Sequence, residues 1–303
     1  MQEAGRYVGS ALNTEARTTS WKCWTCETKA ALNCYRLHLL STATCLHTCG
    51  MHPRKLTQVL LTIILCAGCK RLPSPPPPVP QAVKAPERLL FVGNSFTYYN
   101  GGLENHVKHL AESANPPGRI TCDRATQGGA TLKILHGLNW VHDKMRAGRY
   151  DLVILQEDIP ELTEHSVAPF FEQARLFDQE IRGLGSKTVL FMAWPYERLK
   201  WVTLEQIARA HRAIGQELGV PVAPVGVAFQ RAIKERPELA MLGRDKEHES
   251  IHGTYLAANV IYAISFGQSP KGLPYRPAGV SAEEAGFLQG VAWATVQEWQ
   301  RQQ

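Results

Sequence analysis

Beyond about residue 87, short strand-like segments alternate along the chain with longer segments of helical periodicity. The spacing of apolar residues predicts strands over 88–92, 120–125, 152–155, 188–192 and 220–225. Apolar positions three and four residues apart predict helices over 103–114, 131–147, 165–182, 203–218, 226–235, 254–266 and 281–299. Strands that alternate with helices in this way indicate crossover connections and a parallel sheet.

This order of elements predicts an α/β domain, a three-layer α/β/α sandwich around a five-stranded parallel sheet. Ligands of such sheets bind beyond the carboxyl ends of the strands. Ser95, Gln156 and Trp194 each follow the end of a predicted strand. We therefore expect the functional site at that edge of the sheet.

Composition narrows the class of protein. The chain has 303 residues, 44% of them hydrophobic and 20% charged, which excludes collagen, coiled coil and wholesale disorder. The net charge of +6 is not gathered into a Lys/Arg block, so we expect no nucleic-acid partner. Of the eight cysteines, only Cys122 lies in the predicted domain, which excludes a disulfide scaffold there.

The region before the domain has the features of a targeting segment. A basic stretch after Met51, an apolar run over 56–65 and small residues before Cys69 are typical of a signal peptide. The ending resembles a bacterial lipobox, which implies lipidation of Cys69 and a lipid anchor in the bacterial envelope, on the periplasmic or outer-membrane side. A buried helix or an ordinary secretory signal is the alternative for residues 51–69.

Two flanking segments complete this organisation. Residues 70–86 are rich in proline, which favours an extended polyproline II linker. We interpret residues 1–50 as an over-extended, disordered N-terminus, because the signal begins at Met51. The loosely spaced cysteines in 23–49 could be compared with a zinc ribbon, but nothing around them resembles a small domain. The folded domain is predicted over 87–303.

Two separate motifs suggest nucleophilic catalysis. Ser95 directly follows the first predicted strand, where a serine is often only a helix cap. Far downstream, Asp245 and His248 are three residues apart on a predicted loop. That spacing can bring a carboxylate to one imidazole nitrogen and leave the other to act as general base. Each motif alone is common by chance.

Taken together, the motifs resemble those of the SGNH (GDSL-like) hydrolase superfamily, and the resemblance covers about residues 88–270. A less-characterised branch of that superfamily has a Leu-Gln-Glu in the block that contains its third strand. The same branch has a second motif further on, in which a histidine is followed two residues later by a serine and then by Gly-Thr-Tyr-Leu-Ala-Ala. The chain departs from the branch at Glu249, where proline is usual. The matching blocks here are Gly93–Phe96, Gly128–Leu132, Val153–Glu157, Pro224–Gly226, His248 with Ser250, and Gly253–Ala258.

The resemblance implies a flavodoxin-like fold and a Ser95–His248–Asp245 triad. It also implies an oxyanion hole formed by the backbone N–H groups of Ser95 and Gly129 and the side-chain amide of Gln156. The superfamily usually has Asn at that last position, and the longer glutamine would have to fold back.

The activity implied is a serine esterase that cleaves small acyl esters, such as acetyl groups on carbohydrates, with no cofactor and no metal. We expect a monomer held to the membrane through its lipid anchor. A non-catalytic glycan-binding lipoprotein of the same fold is the alternative, and transfer of the acyl group to another sugar stays open.

A competing motif overlaps the same segment. His248–His252 is literally H-E-x-x-H, which on a helix would present two zinc ligands and a glutamate base, as in metallopeptidases. Residues 253–282 contain no Asp, Glu, His or Cys to complete the site. We therefore expect no zinc peptidase site.

Further aromatic and acidic residues lie near the predicted site. His136 and Trp140 are four apart in the predicted helix 131–147 and could line the substrate mouth, or simply pack. Trp194 could stack on a sugar or belong to the core. Glu157 and Asp158 could orient the Gln156 amide or bound the loop.

Overall fold

The computed structural model describes residues 85–159 and 166–302. The sequence interpretations of residues 1–84, including the lipidation of Cys69, lie outside the described residues. Within them, no helix combines the length and the apolar character needed to cross a bilayer.

Five parallel strands form one sheet, with the order β2-β1-β3-β4-β5. The strands are β1 (Arg88–Gly93), β2 (Thr121–Thr126), β3 (Leu152–Gln156), β4 (Lys187–Phe191) and β5 (Val222–Ala223). After β2 the chain crosses back over β1 to form β3 on the other side. The strand order therefore reverses around β1, and the crevice beyond the carboxyl ends of β1 and β3 is where such sheets bind ligands.

Helices cover both faces of this sheet. Their bounds are α1 (Ser95–Tyr98), α2 (Leu103–Glu112), α3 (Leu132–His136), α4 (Asn139–Gly148), α5 (Ala168–Gly183), α6 (Leu204–Leu218), α7 (Val225–Glu235), α8 (Ile251–Phe266) and α9 (Ala282–Arg301). α2 and α8 pack against each other on one side, and α3 and α5 pack together on the other. The prediction of a three-layer α/β/α sandwich with a five-stranded parallel sheet is confirmed.

The core lies between the sheet and these helices. The apolar residues of β1 and β3 are buried on both faces, as the unbroken apolar runs predict. α8 is buried along most of its length, and this explains why its sequence lacks a polar face. The two central strands and α8 thus form a rigid support for the loops that follow β1 and precede α8.

The structure differs from the predicted elements in two places. The helix predicted over 131–147 is divided, because Gly137 ends α3 and Leu138 has an extended backbone before α4 begins. β5 has two residues rather than six, since Pro221 and Pro224 flank it and proline cannot donate to a strand ladder.

Candidate active site

Ser95 lies at the carboxyl end of β1, in the crevice between β1 and β3. It is the first residue of α1, and Asn94 caps that helix by accepting a hydrogen bond from the Phe96 N–H at 3.1 Å. Asn94 Nδ2 also donates to Asp158 Oδ1 at 2.9 Å. These bonds hold the serine hydroxyl on a fixed turn, so it does not have to be ordered when a ligand binds.

Gly93 allows this turn to lie close to β3. A Cβ at this position would be 2.5 Å from Thr97 Oγ1 and 2.6 Å from Gln156 Oε1, distances too short for any side chain. Position 93 therefore requires glycine, because the side chains of Thr97 and Gln156 lie too close to its backbone for a Cβ to fit.

His248 and Asp245 reach Ser95 from a loop that precedes α8. His248 Nε2 is 2.8 Å from Ser95 Oγ, and His248 Nδ1 is 2.8 Å from Asp245 Oδ2. Asp245 Oδ1 accepts the backbone N–H groups of Glu247 and His248, both at 3.1 Å. The three side chains form one continuous line of hydrogen bonds from carboxylate to hydroxyl.

Hydrogen bonds within the loop fix its shape. The Gly243 N–H donates to the His248 carbonyl at 2.7 Å, and Lys246 adopts a left-handed backbone with φ of 58°. Trp194 Nε1 donates to the Glu247 carbonyl at 3.1 Å, which ties the loop to the segment after β4. The imidazole is thus positioned by backbone contacts on both sides of it.

Aromatic rings enclose the imidazole. Tyr99 stacks on His248 with ring centres 4.6 Å apart, and Phe96 meets it edge-on at 5.6 Å. Both aromatic residues come from the segment that follows Ser95. The ring of His248 therefore has little freedom to turn away from the hydroxyl.

Two further hydrogen bonds join the segment that follows Ser95 to the segment that follows His248. Asn100 Nδ2 donates to the Glu249 carbonyl and to Thr254 Oγ1, both at 2.8 Å. Asn100 has a left-handed backbone with φ of 48°, which asparagine tolerates better than most residues. We call these two bonds the Asn100 clasp.

The electrostatics of the loop favour an ionised Asp245. Burial raises the pKa of its carboxyl, but the hydrogen bonds from Glu247 and His248 outweigh this and hold the pKa below its ordinary value. An ionised carboxylate accepts the Nδ1–H of His248, and Nε2 is then left as the basic nitrogen that faces Ser95. The arrangement can draw a proton from the serine hydroxyl.

Gln156 has a different environment from the predicted one. Its side chain is fully buried, and Oε1 accepts from the Asn94 N–H at 2.8 Å and the Thr97 hydroxyl at 3.2 Å. Nε2 donates to the Glu157 carbonyl at 2.7 Å. The structure corrects the prediction that this amide faces the substrate as an oxyanion donor, because the longer side chain folds beneath the nucleophile turn and is used there.

Gly129 lies on the loop after β2, next to the same crevice. Its backbone has φ of 63°, and no other described residue accepts a hydrogen bond from its N–H. Gln127 anchors the loop by donating its N–H to the Gly93 carbonyl at 3.2 Å. Ser95 is in the first turn of α1, so its N–H has no carbonyl within the helix to which it can donate.

Glu157 holds the end of β3 to this loop. Its buried Oε1 accepts the N–H of Leu132 at 3.0 Å and that of Asp158 at 2.7 Å. The hydrogen bonds support both roles considered for Glu157: its side chain bounds the loop, and its backbone carbonyl holds the Gln156 amide. Asp158 accepts a hydrogen bond from Asn94 and so contacts the turn that carries Ser95.

The H-E-x-x-H segment does not form a zinc site. α8 begins at Ile251, so His248 is outside the helix, and its Nε2 faces Ser95. Burial raises the pKa of Glu249 to about 8, and its carboxyl lies beside Thr254. His252 is 3.4 Å from Glu284, on another helix.

The structure places Trp194 in the core, and His136 and Trp140 on two different helices. Trp194 is buried and stacks on Phe229 with ring centres 4.2 Å apart, so it belongs to the core and does not offer a face to a sugar. The break at Gly137 separates His136 from Trp140, which is 44% exposed on α4. These two residues do not share a helix face.

Sequence reasoning missed three contributors to the site. Thr97 ties α1 to Gln156 at the end of β3, Asn100 joins the Ser95 segment to the start of α8, and Tyr99 stacks on the imidazole. The only available signal was their place within six residues of Ser95, in a segment rich in aromatic side chains.

Comparison with known proteins identifies the fold. No protein-family model and no curated protein matches the sequence. Among solved structures, a DUF4886 family protein from Bacteroides uniformis is similar with a TM-score of 0.54 and 16% identity, over 70% of this chain and 95% of that one. A catalytic mutant of an acetylxylan esterase from Geobacillus stearothermophilus gives 0.50 and 19%, over 64% and 99%.

A third solved structure, from Parabacteroides merdae and described as a GDSL-like lipase, gives a TM-score of 0.50 and 18% identity, over 61% of this chain and 98% of that one. Identities this low establish architecture and leave activity to be argued from the site. The described part of the chain has the fold of the SGNH (GDSL-like) hydrolases.

Proposed function

We propose that this protein is a serine esterase of the SGNH hydrolase superfamily. The observation that carries the proposal is the line of hydrogen bonds from Asp245 through His248 to Ser95, with 2.8 Å at each side of the imidazole. A protein that only binds ligands has no need of this line, because each of its three members serves proton transfer.

In the proposed reaction, Ser95 Oγ attacks the acyl carbon of an ester while His248 Nε2 takes the hydroxyl proton. The tetrahedral oxyanion is stabilised by the backbone N–H groups of Ser95 and Gly129. His248 then returns the proton to the departing alkoxide, so the alcohol leaves and an acyl-serine remains. Water, activated by the same nitrogen, releases the acid and restores the hydroxyl.

The substrate we propose is a small acyl ester, with acetyl groups on carbohydrate as the preferred class. The support is twofold: one solved structure with this fold is an acetylxylan esterase, and Tyr99 offers a 40% exposed ring beside the imidazole. Exposed aromatic rings give sugars an apolar surface on which to pack. We further propose that the enzyme acts in the bacterial envelope as a lipid-anchored monomer, on the strength of the sequence around Cys69.

The test is hydrolysis of p-nitrophenyl acetate by the purified chain, in parallel with Ser95→Ala, each measured with and without EDTA. The proposal predicts that the wild-type activity survives EDTA and that Ser95→Ala lowers kcat by at least about 10³-fold. Ser166→Ala, at an exposed serine remote in sequence from the triad, is the matched control and should keep full activity.

Each other outcome contradicts the proposal in a specific way. Activity that persists in Ser95→Ala would remove Ser95 as the nucleophile. Activity lost with EDTA would point to metal-dependent hydrolysis. A folded chain that is inactive on several acyl esters yet binds glycans would be the non-catalytic lipoprotein.

A further inference from the structure

A compact cluster of metal-ligating side chains lies on the helical layer formed by α3, α4 and α5. His136 is the last residue of α3, His142 lies in the first turn of α4, and Glu180 lies near the end of α5. One potential ligand atom from each lies within 4.8 Å of the others, and all three side chains are partly buried. Neither the proposed esterase reaction nor the packing of the sheet uses this cluster.

The hydrogen bonds of His142 select which of its nitrogens can bind a metal. Nε2 lies 2.7 Å from the backbone carbonyl of His136, and a carbonyl only accepts, so Nε2 carries a proton. Nδ1 is then the atom directed at Glu180 Oε2, 2.6 Å away. Metal-binding histidines commonly donate their other N–H to a carbonyl in this way, which fixes the ring and its tautomer.

The surroundings hold both imidazoles in place on an apolar base. Phe177, which is fully buried, meets the His136 ring edge-on at 5.1 Å and lies nearly parallel to the His142 ring at 6.2 Å. The side chains of His142 and Glu180 are 15% and 23% exposed, so solvent can still reach the cluster.

One cation competes for the carboxylate. Arg146 Nη1 is 3.7 Å from Glu180 Oε1, the oxygen that does not face His142. The Arg146 side chain is 54% exposed, so it can remain in solvent while Glu180 Oε2 binds elsewhere.

We propose that His136, His142 and Glu180 form a binding site for Zn²⁺, with water as the fourth ligand. Two imidazoles and one carboxylate are a common zinc donor set, with bonds of about 2.0–2.2 Å. Ligand atoms around a tetrahedral zinc lie about 3.4 Å apart. The three atoms lie within 4.8 Å of one another, so no pair has to approach by more than about 1.4 Å, while His142 Nδ1 and Glu180 Oε2, now 2.6 Å apart, have to separate by about 0.8 Å. Side-chain rotation can supply both movements.

The metal would take the place that Glu180 Oε2 now has beside Nδ1 of His142. Nδ1 would give its lone pair to the metal, and a proton held on that nitrogen passes to the buffer. Nε2 keeps its hydrogen bond to the His136 carbonyl, so the ring need not turn when the metal binds.

The consequence of binding is structural. Zinc would connect α3, α4 and α5 through one ligand from each, across the break at Gly137. Because Ser95, His248 and Asp245 contribute nothing to the cluster, metal loading should raise the thermal stability and leave ester hydrolysis at room temperature unchanged.

The test measures metal uptake by the full chain after removal of metal with EDTA and exhaustive dialysis under reducing conditions. His136→Gln removes one ligand and keeps the His142–Glu180 pair, while His109→Gln, at a histidine that is 51% exposed on α2, is the matched control. Titration with Co²⁺ is followed by visible absorption, and Zn²⁺ by equilibrium dialysis and by Tm.

The wild type and His109→Gln should take up one equivalent of Zn²⁺ more than His136→Gln does. At a free Zn²⁺ concentration about 100 times Kd, the wild-type Tm should rise by about 5–10 °C, and this rise should be missing in His136→Gln. The difference spectrum with Co²⁺ should show tetrahedral absorption without thiolate charge-transfer bands, which separates the site from any metal held by the N-terminal cysteines.

The proposal is overturned if His136→Gln, folded with the wild-type circular dichroism, binds as much Zn²⁺ as the wild type and gains the same Tm. It is equally overturned if Zn²⁺ does not raise the Tm of the wild type, in which case His142 and Glu180 form only a hydrogen-bonded pair.

Discussion

At the level of single residues, the buried carboxyl of Glu249 should make stability depend on pH. Its pKa is raised to about 8 by burial, against 4.5 in an unfolded chain, so the folded state keeps a proton that the unfolded state loses. The free energy of unfolding should therefore fall as the pH rises from about 4.5 to about 8, and level off above that.

Glu249→Gln should abolish this fall, because an amide does not ionise. We expect the variant to be more stable than the wild type at pH 9 by a few kcal/mol, because each unit of difference between the folded and unfolded pKa corresponds to about 1.4 kcal/mol. Urea unfolding at pH 5, 7 and 9 measures the effect, and Glu238→Gln, at an exposed carboxylate, should follow the wild type. Parallel pH profiles for the two variants would contradict the burial argument.

Asp245 offers a test of the proposed proton path that leaves the fold intact. In Asp245→Asn the side-chain oxygen can still accept the Glu247 and His248 N–H groups, but the amide donates to His248 Nδ1. The ring then carries its proton on Nε2 and cannot take one from Ser95. We expect kcat for p-nitrophenyl acetate to fall by about 10²–10⁴-fold while Tm stays within a few degrees.

Retention of more than a tenth of wild-type kcat in Asp245→Asn would show that solvent can replace this carboxylate, which is 46% exposed.

At the level of elements, the start of α8 positions the loop that carries the imidazole. A Cβ at Gly253 would lie 2.3 Å from the Met241 carbonyl and 2.9 Å from Phe229 Cζ. In Gly253→Ala the helix must move away from the segment around Met241, whose carbonyl accepts the N–H of Ser250, two residues after His248. We expect a loss of about 1–3 kcal/mol of stability together with a fall in kcat, as judged by urea unfolding and p-nitrophenyl acetate hydrolysis.

Gly286→Ala is the matched control for this prediction. Gly286 lies inside α9, where an added Cβ meets nothing within 4 Å. Alanine has the higher helix propensity, so this variant should gain about 0.5–1 kcal/mol and keep full activity. A similar loss in both variants would mean that close approach at Gly253 is not the cause.

At the level of the whole molecule, periodicity predicted the architecture, and motif order singled out Ser95, His248 and Asp245, which the structure brings into one line of hydrogen bonds. Parallel strands place their carboxyl ends at one edge, so residues that follow β1 and precede α8 meet there even though they are distant in sequence. The sequence could not predict the direction of the Gln156 amide. Its oxygen can either accept from Asn94 and Thr97 beneath the turn or leave them so that the amide faces the crevice, and only the packed structure decides between the two.

The cluster of His136, His142 and Glu180 was beyond sequence reasoning for a related reason. Helical spacing placed His136 with Trp140, but the backbone at Leu138 leaves the helix and redirects α4. Glu180 lies 38 residues from His142, and only packing of α5 brings it near.

The contact between Ser95 and His248 joins positions 153 residues apart, and the Asn100 clasp spans 149 and 154 residues. We expect loops of this size to close late in folding, because closing them costs chain entropy before the new contact contributes any stabilising free energy. A nascent chain that has emerged only as far as α7 would hold the five strands of the described sheet and Ser95, yet lack His248, the proposed general base. The proposed esterase activity would thus report the closure of this long loop, and during refolding it should return after the far-ultraviolet circular dichroism has recovered.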